Sequence, residues 1–117
     1  MKIEKIVKIE INEQDINDLM TTAFEGGINY WCNKVEIISN PNNKNFASES
    51  IAYGGELKLY TDEGAEFTLT RKQIVKGIDK AMEHFDYYSF DKFMNEHDAT
   101  TADVVVQFAL FDKIVFG

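Results

Sequence analysis

The chain has 117 residues, 44% hydrophobic and 13% aromatic, which specifies one packed globular domain over residues 1–117 and excludes a disordered polymer. A formal net charge of -8, with Arg71 as the sole arginine, excludes direct binding to nucleic-acid phosphates, which needs a surplus of basic side chains. The single cysteine excludes an internal disulfide, and there is neither a signal-peptide core nor an apolar run of about 18 residues; the expected setting is a reducing cytoplasm with no membrane contact.

Val7, Ile9 and Ile11 alternate with Lys8 and Glu10, the period of a half-buried strand. Asn12 and Asp15 then form a capping-box variant ahead of Ile16, Leu19, Met20, Ala23 and Phe24, which line one face of a helix that Gly26 and Gly27 close. From Ile28 to Ser39 the aromatic and β-branched density predicts a strand, and Asn40–Asn45 with Pro41 predicts a loop. Glu56–Tyr60 and Glu66–Thr70 alternate on either side of a glycine-containing loop, a β-hairpin. Thr70 and Gln73 cap a second helix whose buried face runs Ile74, Val75, Ile78, Ala81, Met82, Phe85; Gly77 within it predicts close packing.

Phe85–Asp98 reads as an aromatic, acidic loop with a short helical turn. Thr100 and Asp103 open a third helix through Phe111 that is apolar nearly all round, so it is expected to be central or covered by a second copy in a homo-oligomer. Lys113–Phe116 reads as a closing strand. The resulting order, β-α-β-β-β-α-α-β, predicts an α+β fold: a single, mainly antiparallel sheet packed against a layer of about three helices.

Catalytic and cofactor spacings are missing. Cys32, His84 and His97 lack the paired spacing of a metal site, and neither Gly26-Gly27 nor Gly54-Gly55 precedes a helix as a phosphate loop must, so no metal and no cofactor is expected. Cys32 with a histidine is the one candidate for a thiol enzyme, but a lone cysteine beside Trp31 reads as a small buried hydrophobe. A non-enzyme is the expectation.

Two binding surfaces stand out instead. Asn29, Tyr30, Trp31 and Tyr53 combine ring faces with neighbouring glycines and can stack a nucleobase, with Arg71 and Lys72 meeting phosphate at a helix amino end; the same rings serve as well to fill the core. Glu83, Asp86, Asp91, Glu96, Asp98 and Asp103 face only Lys92 in their segment and form a candidate patch for a basic protein partner, or simply a solubilising surface.

Three segments together carry a resemblance: Gly26-Gly27-Ile28-Asn29-Tyr30-Trp31-Cys32; Ala47-Ser48-Glu49-Ser50-Ile51 with Gly54–Leu59; and Ala102-Asp103 with Val106–Phe111 and Ile114-Val115-Phe116-Gly117. In these the chain resembles a family of small acidic hypothetical proteins encoded in tailed phages and prophages of Gram-positive bacteria. Asp112 departs from the glycine of that pattern. The resemblance carries no activity. It implies a phage accessory protein of the host cytoplasm, acting on a defence system by sequestering a nucleotide immune signal or by blocking a host effector, with an acidic nucleic-acid mimic directed at a nuclease or DNA-binding protein as the alternative.

Overall fold

The computed structural model describes residues 9–117. Its first helix, α1 (Glu13–Thr22), opens on the predicted capping box: the Asn12 side chain accepts from the Asp15 N–H at 2.9 Å and the Asp15 carboxylate accepts from the Asn12 N–H at 3.0 Å. Ile16, Leu19 and Met20 face the core. The glycine pair does not end this helix. Ala23–Gly27 continues it as one wider π-helical turn, and the chain leaves only at Ile28.

Three strands follow, β1 (Cys32–Ser39), β2 (Glu56–Thr61) and β3 (Glu66–Thr70), in one antiparallel sheet with β2 in the middle. Register places Val35 opposite Leu59, Ile37 opposite Leu57, and Leu57 and Leu59 opposite Leu69 and Phe67, so one face is apolar. The other face carries Glu36, Lys58 and Thr68 across the strands, with Lys34–Glu36 and Lys58–Glu66 ion pairs at 3.2 and 3.7 Å. This alternation means one face is packed under helices and one is solvated. The hairpin loop turns at Gly64, whose φ of +85° only glycine adopts without strain.

The helical layer is α2 (Ala47–Ala52), α3 (Arg71–His84), α4 (Phe90–Glu96) and α5 (Ala99–Phe111) together with α1. Helix α5 is central as predicted: Val104, Val105, Val106 and Ala109 are buried within the single chain, and Phe108, Leu110 and Phe111 pack partly against the same core. One chain thus buries by itself part of the apolar surface on which the expectation of a homo-oligomer rests. A Cβ on Gly77 would overlap the Val105 carbonyl oxygen and stand 3.1 Å from Ala109 Cβ, so the glycine lets α3 lie directly on α5.

The α+β class and the single antiparallel sheet hold, but among the described residues there are three strands where the sequence predicts five. Ile9 and Ile11 lie in no strand, while Val7 and Lys8 fall outside the described residues. Residues 28–31 form a turn ahead of β1, because Trp31 and Cys32 N–H groups both donate back to the Ile28 carbonyl. Lys113–Phe116 pairs with a side chain rather than a strand. Helix α2 was not foreseen, since its first residue follows Phe46, which cannot cap. Helix α5 is capped by Asp98, two residues before Thr100; its carboxylate accepts from the Thr101 N–H at 2.9 Å.

Asp112 adopts a backbone geometry that glycine favours. It ends α5 at φ +64°, where aspartate is among the better tolerated residues, and meets Lys76 and Lys80 at 3.4 and 2.5 Å. Lys80 foremost, by hydrogen bonding, lowers its pKa.

Replacing Gly77 with Ala should destabilise the protein by about 1–3 kcal/mol despite the better helix propensity, because the added methyl meets backbone. Denaturant unfolding checks this, with Lys76→Ala expected to cost no more than a few tenths of a kcal/mol.

Candidate functional site

Asp103 lies one turn into α5, in a helix whose other buried side chains are mostly apolar, and it is only 7% exposed. Its Oδ1 accepts from the Trp31 indole N–H at 2.8 Å and from the Gln107 amide at 2.9 Å. Its Oδ2 accepts from the Tyr30 hydroxyl at 2.5 Å. Asp103 and Gln107 are four residues apart and so share a helix face. Gly27 makes the approach possible: a Cβ there would stand 2.8 Å from the Ala99 carbonyl oxygen and 3.4 Å from the Asp103 nitrogen.

Gln107 continues the network into the carboxyl-terminal segment. Its Oε1 accepts from the N–H groups of Val115 and Phe116, both at 2.8 Å, and its Nε2 donates to the Phe116 carbonyl at 3.1 Å. One fully buried side-chain amide thus supplies hydrogen bonds that a neighbouring strand would otherwise give this segment. Phe116 is set down parallel to Trp31, ring centroids 4.8 Å apart at 3°, with Phe111 edge-on to both.

These contacts divide the six residues expected to bind a ligand. Trp31 is 3% exposed, with one face on Phe116, so its ring is core and offers no open face to a base. Tyr30 is 53% exposed but turns its hydroxyl inward to Asp103. Desolvation, then the hydrogen bond and charge of Asp103, push its pKa up to about 12. Asn29 is exposed and lines a separate depression with Cys32 and Lys34. Tyr53 and Arg71 do come together, at the carboxyl end of α2: Arg71 Nη1 donates to the Ala52 carbonyl at 3.0 Å, and Lys44 Nζ lies 4.3 Å above the Tyr53 ring. Lys72 is exposed beside Arg71.

Tyr30 and Asp103 also line a groove of about 540 Å³ with Gly26, His84, Phe85 and Phe116. Beyond it lies the acidic surface. Glu83, Asp86, Asp91, Glu96 and Asp98 are exposed as expected, whereas Asp103 leaves the patch for the interior. The patch is coherent across elements: the Tyr87 hydroxyl donates to Glu96 at 3.4 Å, and its pKa is raised by desolvation, then by the charges of Glu96 and Asp98. Tyr88 stands out among these acids at 91% exposure, a residue sequence reasoning did not single out.

Cys32 is 5% exposed; its thiol donates to the Lys34 carbonyl at 3.4 Å, and burial pushes its pKa up. Neither histidine reaches it. His84 packs edge-on to Phe85 and Phe108, and His97 joins the Met94 carbonyl and the Thr22 hydroxyl at 2.6 and 3.1 Å. Among the described residues no group of three His, Cys, Asp or Glu side chains can hold a metal ion, and no helix is long and apolar enough to cross a membrane. Neither the family models nor the curated proteins nor the solved structures compared with this chain match it.

Two outcomes follow from the network. Gln107→Ala should cost about 2–3 kcal/mol and expose the Val115 and Phe116 amides to rapid hydrogen exchange, because their N–H groups lose their acceptor. For Tyr30, a folded-state pKa above the ordinary tyrosine value of 10.0 means the folded protein holds the phenolic proton more tightly. Its contribution to stability is therefore complete below pH 10 and declines as pH rises toward about 12. Tyr60 and Tyr87 are raised too, so the test is the difference between wild type and Tyr30→Phe, whose urea midpoints should converge across that interval.

Proposed function

We propose that this is a non-enzymatic binding protein whose acidic surface, at the α3–α4 turn and along α4, occupies a basic groove on a protein partner. The observation that carries the reading is a nearly fully exposed tyrosine, Tyr88, in a segment with five exposed carboxylates; among the described residues only Glu96 of these has a lysine in reach, Lys92 at 3.9 Å. Tyrosine supplies contact area at small entropic cost, and surrounding acids steer a basic surface toward it. The resemblance to phage-encoded proteins directs the proposal to a bacterial defence effector in the host cytoplasm, with a nuclease or DNA-binding protein as the natural bearer of such a groove.

Sequestration of a nucleotide signal is the second reading. It is supported by Tyr53 standing beside Arg71 and Lys44, a ring and two cations on one side of the molecule. It ranks lower because Trp31 is occupied by the core and Arg71 is already committed to a backbone carbonyl.

Expression in a defended bacterial host should restore phage growth, and the triple variant Glu83→Lys, Asp86→Lys, Asp91→Lys should abolish that rescue while unfolding at the wild-type temperature. With the purified target, inhibition should weaken as ionic strength rises from about 0.1 to about 1 M and the screening length falls from about 10 to about 3 Å. Rescue by the triple variant at wild-type level would sink the acidic-surface reading. Stabilisation by a cyclic nucleotide that Arg71→Ala removes would favour sequestration.

A further inference from the structure

The groove against Asp103 adds chemistry to the acidic surface, and the argument rests on the binding role proposed above. Asp103 is a carboxylate buried beside a cavity, and a charge in that position is costly unless it is compensated. All three of its hydrogen-bond donors belong to neutral side chains: Tyr30, Trp31 and Gln107. Among the described residues no lysine, arginine or histidine comes within 4.0 Å of it, whereas other acids on the molecule, Glu36, Glu66 and Asp112, do have such a partner. His84, the one imidazole lining the groove, is packed on phenylalanine rings. Oδ2 takes a single hydrogen bond, from Tyr30, and a carboxylate oxygen accepts two.

The groove itself suits a cation. Its volume of about 540 Å³ exceeds what one side chain needs, and Tyr30, Phe85 and Phe116 contribute rings to its lining, surfaces against which a flat cation stacks. It opens into the acidic surface, since His84 and Phe85 in its wall sit between Glu83 and Asp86 in the chain, and Ala99 follows Asp98. We infer that this groove is a socket for the cationic end of an arginine or lysine side chain of the partner, with Asp103 as counter-charge and Tyr30 and Phe116 as walls.

The test uses capped arginine amide, with capped citrulline amide as its neutral isostere, and capped lysine amide as the compact cation. The readout is the indole ¹⁵N–¹H resonance of Trp31, the only tryptophan, whose N–H is bonded to Asp103. Arginine amide should shift that resonance saturably, and citrulline amide should bind about tenfold more weakly or worse, the effect of one charge-assisted hydrogen bond. Asp103→Asn should lose arginine binding by a similar factor. Should that variant unfold, Gly26→Leu decides: Gly26 lines the groove and a Cβ there meets nothing within 4 Å, so a bulky side chain can be added at the groove wall without a clash with the core. Equal shifts from arginine and citrulline amides, wild-type binding by Gly26→Leu, or no shift with any probe would overturn the socket. The triple-lysine variant separates the two proposals, since loss of phage rescue in that variant alongside a silent Trp31 would leave the acidic surface standing and remove only the socket.

Discussion

A single buried carboxylate organises this molecule. Asp103 draws its hydrogen bonds from the turn that follows the π-helical segment and from the next turn of its own helix, and through Gln107 it reaches the last residues of the chain. Hydrogen bonds to an ionised acceptor are roughly twice as strong as neutral ones, and a buried charge stripped of donors is unfavourable by several kcal/mol. The turn at Tyr30 and Trp31 is therefore held directly by these two oxygens, and the last residues are held at one remove through Gln107. The Trp31–Phe116 stack is a consequence of that arrangement: once Gln107 has gripped the backbone at Val115 and Phe116, the phenyl ring lies over the indole.

The close approach of neighbours to α5 has a separate origin in two glycines. Gly77 lets α3 lie against the Val105 carbonyl, and Gly27 lets the π turn reach the start of α5. Only with both flanks this near can a helix that is apolar on most sides be covered by one chain. The sequence pattern correctly required a covering for α5, but it could not distinguish a second copy from the chain's own glycine-thinned neighbours.

Elements announced by both a cap and a period were readable in advance. Helices α1 and α3 each have a capping box and a regular apolar face, and the hairpin has two alternating runs about a glycine loop. What escaped lacks one or both signals. Helix α2 is a six-residue, serine-bearing segment with no side-chain cap, and the π turn differs from a helix end only in where one carbonyl finds its donor. The terminal Ile114-Val115-Phe116 run has a strand's composition but takes its partners from Gln107, a tertiary arrangement that local preference does not encode. At the site, Asp103 was grouped with its acidic neighbours because the grouping counted charge along the chain. Its pairing with Gln107 four residues on, inside an otherwise apolar helix, was the available sign that both point inward.

The distribution of lysines gives the acidic surface its meaning. Lys34 and Lys58 are spent on the sheet's solvated face, and Lys76 and Lys80 on Asp112 at the end of α5. Such exposed pairs contribute little stability, yet they cancel charge locally, so the net negative field of the molecule is concentrated where pairing is sparse. That place is the α3–α4 corner, where Lys92 is the single lysine of residues 83–103 and Tyr88 projects. A phosphate-bearing ligand approaching there meets repulsion, and a basic surface meets attraction that reaches about 8 Å into physiological solution. The groove beside Asp103 opens onto the same corner, which places a short-range charge behind a long-range one. Steering by the outer acids can set the rate of encounter, and a desolvated contact with the inner one can set how long the encounter lasts.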